Sequence, residues 1–131
     1  MIFTIKQVIK EIQNGNIRNY KKLDMCQVQL LNHNELGCVM NCSVSNEIHL
    51  GFGMVIYILT HGEFENLSKC ISNLYDENYG EMMLTGKKIF LKTDSKKIIL
   101  ALNIDELKLM CMLINEALIM LEVNNVLKVL N

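Results

Sequence analysis

Two hydrophobic spacings divide the chain. Ile5, Val8, Ile9 and Ile12 recur every three or four residues, and Asn14-Gly15 supplies a stop. This predicts a short amphipathic helix over residues 4–13, followed by a polar connection over 16–24. From Cys26 the pattern turns to that of strands. Residues 26–31 partly alternate, His33-Asn34 makes a turn, 36–43 is a second extended stretch, and Ser45-Asn46 makes another turn. Residues 47–59 are a long run of β-formers, including Ile48, Leu50, Phe52, Val55, Ile56, Tyr57 and Ile58. Gly51 and Gly53 sit inside it, which predicts a bulged central strand. The economical reading is a three-strand antiparallel meander.

Thr60-His-Gly-Glu63 then matches a capping box, with Thr60 capping a helix and Glu63 reaching back. Phe64, Leu67, Ile71 and Leu74 form one face of that helix, which is expected to fade near Tyr75 into a polar loop over 76–86. A hairpin follows, pairing 89–92 with 98–102 across Thr93-Asp-Ser-Lys96. Asn103-Ile-Asp-Glu106 is a second capping box. It opens the longest helix, over 104–122, and a short apolar tail, Val126 to Leu130, ends the sequence. Both strand blocks therefore run directly into a capping box, a junction chemistry common enough to need no internal duplication. The expected order is α-βββ-α-ββ-α, an α+β fold in which one antiparallel sheet is covered by helices. The 131 residues suit a single domain, 1–131.

Half of the residues are hydrophobic and 21% are charged, a balance that supports a core and excludes a disordered tail. Net charge is −1, so no global field steers the molecule to nucleic acid or to an anionic membrane. The basic residues are nearly all lysine, Arg18 being the exception, which counts against bidentate base reading. Five cysteines, an odd number at irregular spacing, fit free thiols in a reducing cytosol. The N-terminus shows no secretory pattern. The longest weakly charged stretch, Leu109 to Leu121, falls short of the roughly 20 residues of a membrane span. A cytoplasmic protein with no membrane contact is the expectation.

Candidate chemistry is sparse. Cys38, Cys42 and His49, with His33, are the residue types that bind zinc. On an extended strand Cys38 and Cys42 would share a face but stand about 13 Å apart, too far for one ion without a sharp turn. No cysteine opens a predicted helix, where a thiol would be activated, so no catalytic residue is assigned. Gly51-Phe-Gly53 is not followed by a helix, which removes the phosphate-loop reading. Lys87, Lys88, Lys92, Lys96 and Lys97 make the hairpin basic. They can contact phosphates as a weak nucleic-acid site, or guard an exposed strand edge against aggregation. Only Phe90 interleaves with them, which is no stacking platform. No cofactor is expected.

One resemblance rests on specific residues. The run Ile48-His-Leu-Gly-Phe-Gly53 is followed by Ile56-Tyr-Ile-Leu-Thr60 and Glu63-Phe64, then by a hairpin and Leu102-Asn-Ile-Asp-Glu106-Leu107. Leu113 to Glu122 closes the series. Residues 36–123 resemble a family of small uncharacterised bacterial proteins. Its pattern is a Cys-x-x-Cys, a Phe-Gly strand, Leu-Thr-x-x-Glu-Phe and a Leu/Glu-rich terminal helix. Here the pair is Cys38-Val-Met-Asn-Cys42, one residue wider. The resemblance implies a fold and no activity.

The terminal helix carries more apolar surface than one stripe. Ile104, Leu107, Met110, Cys111, Ile114, Ala117, Leu118 and Leu121 supply a core face, and Leu109, Met112, Leu113, Ile119 and Met120 spread beyond it. Leu109, Met112, Ile119 and Met120 are the expected contact with a second copy. The functional expectation is a non-catalytic interaction module, an adaptor or a toxin-neutralising immunity protein, self-associating through this helix. A metal- or redox-responsive regulator built on Cys38, Cys42 and His49 is the alternative.

Overall fold

Alternating extended segments joined by two- to four-residue turns build a sheet in chain order. The computed structural model describes residues 28–92 and 97–130. The predicted helix at 4–13, the connection at 16–24 and the turn at 93–96 lie outside the described residues. Strands β1 (Val28–His33), β2 (Gly37–Cys42), β3 (Glu47–Phe52) and β4 (Val55–Leu59) form one antiparallel sheet in the order β1-β2-β3-β4. Helix α1 (His61–Thr85) follows. Strands β5 (Ile89–Lys92) and β6 (Ile99–Leu102) form a separate two-strand hairpin, and α2 (Ile104–Leu130) closes the fold. The result is an α+β fold.

Several boundaries differ from the sequence reading. The run 47–59 is two strands, because Gly53 takes a positive φ of 58° and makes a two-residue hairpin turn with Met54. The meander therefore has four strands. The register shift lies in β1, between Leu30 and Asn32, and not in β3. The hairpin stands apart from the main sheet instead of extending it. Helix α1 does not fade at Tyr75 but continues to Thr85, because Met82, near its end, is buried in the core. Tyr75 and Tyr79, one turn apart, pack at 5.4 Å. Helix α2 continues through the apolar tail to Leu130.

Both capping boxes form. The Thr60 hydroxyl accepts from the Glu63 N–H at 3.1 Å, and the Thr60 N–H donates to the Glu63 carboxylate at 2.9 Å. The Asn103 side chain and Glu106 repeat the exchange at 2.8 and 3.0 Å. Each box starts a helix at the end of a strand, and both helices pack against the same face of the four-strand sheet.

On that face Leu31, Val39, Ile48, Leu50 and Phe52 pack against Phe64 and Ile71 of α1 and against Leu107, Met110, Leu113, Ile114, Ala117 and Leu121 of α2. Helix α2 lies over β1 and β2, while α1 touches β3 and β4 only lightly. Asn32 and Asn34 clip β1 to α2. Their side-chain amides donate to the carbonyls of Leu113 at 3.1 Å and Leu109 at 2.8 Å. The two helices run antiparallel, held by a polar ladder. Ser68 donates to Asn115 at 2.6 Å, and Asn115 donates to Ser72 at 3.2 Å. These bonds fix the rotation of α2 about its axis, and hence which of its side chains face outward.

Candidate functional site

The outward face of α2 is apolar. Met112, Ile119 and Met120 are exposed, Ile119 by 60%, and Leu109 is partly buried beside the Asn34 clip. The longer helix adds Val123, Val126, Leu127 and Val129, all exposed. Met112, Glu116, Ile119, Val123 and Val126 recur at alternating steps of four and three. That is the spacing at which one helix presents a seam to another helix. Among the described residues Leu121 is the last of α2 in the core. A shallow groove lined by Ser72, Tyr75, Met112 and Glu116 runs between α1 and α2 beside it. Glu116, the polar member, is also held by Asn32, whose amide donates to its carboxylate at 3.2 Å. The contact expected from the sequence comprises Leu109, Met112, Ile119 and Met120 and leaves out Val123 and Val126, because the expected helix ends at 122. The four-three spacing was the signal that continues through them.

Helix α2 is long and apolar enough to cross a membrane by length and composition, although its longest weakly charged stretch, Leu109 to Leu121, is interrupted by Asn115 and Glu116 and is shorter than a span. A third of its most apolar window is buried in the fold, and its inner face builds the core.

The candidate metal ligands share one face of the sheet, the one turned away from the helices. His33 pairs with Cys38 across β1 and β2, and His49 pairs with Met40 across β2 and β3. Among the described residues no three histidine, cysteine or acidic side chains form a group able to hold one ion. The expectation that all the cysteines are free is corrected. Cys42 is disulfide-bonded, while Cys38, Cys70 and Cys111 are free. An odd count and irregular spacing do not exclude one bridge, since only spatial approach decides it. Burial pushes the Cys38 thiol up to about 11, against a smaller opposing effect of its hydrogen bond with the Gly51 backbone. At neutral pH that thiol is protonated and inert. Burial likewise raises Cys111, which sits between the helices.

Lys87 and Lys88 are exposed just before β5, and Lys97 is exposed after the turn. Lys92, at the end of β5, is exposed as well. It lines a cavity of about 320 Å³ between β3, β4, α1 and the hairpin. The cavity exists because α1 stands off the β3–β4 half of the sheet, whereas α2 is clipped tightly to the other half. Its walls are mostly apolar, with Leu50, Phe52, Leu59 and Leu67 among them. Tyr57 also lines it, stacked on Phe52 at 5.7 Å, and the Tyr57 hydroxyl is buried without a hydrogen-bond partner among the described residues. No sequence pattern marked this cavity.

A family model described as a family of unknown function, DUF6686, matches residues 25–130. The chain belongs to the DUF6686 family. The match spans the four-strand sheet, α1, the hairpin and all of α2, so the extended helix is part of the DUF6686 unit. No curated protein and no solved structure matches the chain.

Proposed function

We propose that this DUF6686 protein is a non-catalytic interaction module that forms a homodimer through α2. The observation that carries the reading is the four-three seam Met112, Ile119, Val123 and Val126, exposed on a helix whose other face is fully used by the core. A surface helix needs one apolar stripe, and this one has two. Each half-exposed seam residue has on the order of 1 kcal/mol still to gain from burial. A second copy of α2, antiparallel and centred near Ile119, sets Met112 against Val126 and keeps the two Glu116 carboxylates apart. Two-fold pairing of the same patch is the commonest route to an oligomer. Another protein as the cellular partner, in an adaptor or toxin-neutralising role, extends this reading. A cytoplasmic site of action goes with it and requires the Cys42 bond to be protected from, or opened by, reductants there.

The test is charge insertion. Met112→Glu with Ile119→Glu should halve the mass measured by light scattering, with helix content retained. Val123→Glu, beyond the last core residue of α2, should do the same without touching the core. Unchanged masses in both variants would remove the dimer seam.

One observation favours a second reading, that of a redox-responsive regulator. Cys42 is already bonded, and Cys38 lies on the same face at the other end of β2. In that case reduction of the Cys42 bond should shift the dimer equilibrium or partner binding. Unchanged mass and partner capture after reduction would remove it.

A further inference from the structure

A strand turns successive side chains to opposite faces of its sheet. In β2 and β3 one set, Val39, Ile48, Leu50 and Phe52, faces the helices and joins their core. The other set belongs to the opposite face. There the register puts Val28 opposite Cys42, Leu30 opposite Met40, and Cys38 opposite Gly51. The hairpin lies on the helix side, since Leu91 and Leu100 line one cavity with Leu50 and Phe52. A bare outer face would leave its side chains open to water. Instead Cys38, Cys42 and Met40 are only 0, 1 and 3% exposed, and Val28 is buried too. None of these four belongs to the core under the helices. On β4 of the same face Ile56 and Ile58 are both 57% exposed. The cover therefore lies over β1 to β3 and stops short of β4.

We propose that residues 1–27 of this chain are that cover, clasped by a disulfide between Cys26 and Cys42. The segment enters the sheet at Val28, on the edge strand of the covered half and opposite Cys42. Its Ile5, Val8, Ile9 and Ile12 supply an apolar stripe at helical spacing. A helix over 4–13 is about 15 Å long, and three strands measure about 10 Å across. One such helix crosses the covered half. The stretch 93–96, the turn of the hairpin, starts from the other side of the sheet and is too short to do so. The clasp follows from the cysteines. Of the five in the sequence, Cys38, Cys70 and Cys111 are free and Cys42 is bonded, which leaves Cys26. Cys26 stands two residues before Val28, and strand alternation gives it the same face. Closing the bond joins the two sulfurs and passes two electrons and two protons to a small-molecule disulfide, which leaves as two thiols.

The first test digests the full chain without reduction, after equilibration with glutathione disulfide. It should release one peptide pair joined through Cys26 and Cys42, from a chain that runs as a monomer on a denaturing, non-reducing gel. A bond from Cys42 to any other cysteine, a disulfide-linked dimer band, or free thiols at both positions would overturn the clasp. The second test follows alkylation by N-ethylmaleimide in the folded protein. Cys38 should stay unmodified while the exposed Cys70 reacts to completion. Ile5→Glu with Ile9→Glu should speed alkylation of Cys38 at least tenfold. Cys111, packed against the core on the helix side, should keep its rate. Should Cys111 quicken as well, the chain has unfolded, and the milder Ile9→Ala is read in the same way with a smaller rise. Fast alkylation of Cys38 in the unmodified protein would overturn the cover. So would an unchanged Cys38 rate in a variant whose Cys111 rate holds.

Discussion

Gly37 stands where a side chain has no room. A Cβ there would overlap the backbone carbonyl of Gly51 on the neighbouring strand. Backbone on a paired strand cannot swing aside as a flexible side chain can, so Gly37→Ala must push β2 and β3 apart. Overpacking of this kind costs about 1–3 kcal/mol, and urea unfolding should show a midpoint lowered to match. An unchanged midpoint would mean that the strands separate freely. In the sequence Gly51 and Gly53 stand out inside a run of β-formers, and Gly37 does not. A glycine in a strand signals close approach, but which glycine is approached depends on register, and register is set by pairing across turns. The Tyr57 hydroxyl, without a partner among the described residues, was hidden for the same reason. Nothing local to Ile56-Tyr57-Ile58 tells that α1 stands away from this strand. The capping pairs Thr60–Glu63 and Asn103–Glu106 were legible because their chemistry is complete within four residues.

Among the elements, the two helices outrun their sequence boundaries. The polar stretch after Tyr75 reads as a loop on local pattern. It is helical because Met82 anchors the far end in the core and because packing outweighs weak propensity. Gly80 lies inside this stretch, exposed, and a Cβ there would meet open space. Gly80→Ala should therefore stabilise the protein by about 0.5–1 kcal/mol, read as a raised thermal midpoint. A destabilised variant would support the loop. In α2 the local signal was present but was divided at residue 122. Glu122, Asn124 and Asn125 look like an ending when read by composition. Read by spacing, they fall outside the seam that Ile119, Val123 and Val126 continue. The hairpin was placed correctly in sequence but assigned to the wrong sheet, since strand pairing between blocks leaves no mark in either block.

At the scale of the whole molecule, the sheet's helix-bearing face is satisfied by one chain and the outer face of α2 is not. The apolar residues of α2 serve two ends. One set, Leu107 to Leu121, closes the core, and the other faces solvent on a helix that runs past it. Their separation is enforced by Asn32, Asn34 and Asn115, which fix how α2 is turned on the domain. The proposed function rests at this scale on association of chains through that outer face. Sedimentation equilibrium of the unmodified protein across micromolar concentrations addresses that claim most directly. The account predicts a mass twice that of the 15.1 kDa chain, falling towards the monomer only on dilution. A chain that sediments as a 15.1 kDa monomer throughout, up to the highest soluble concentration, would contradict it.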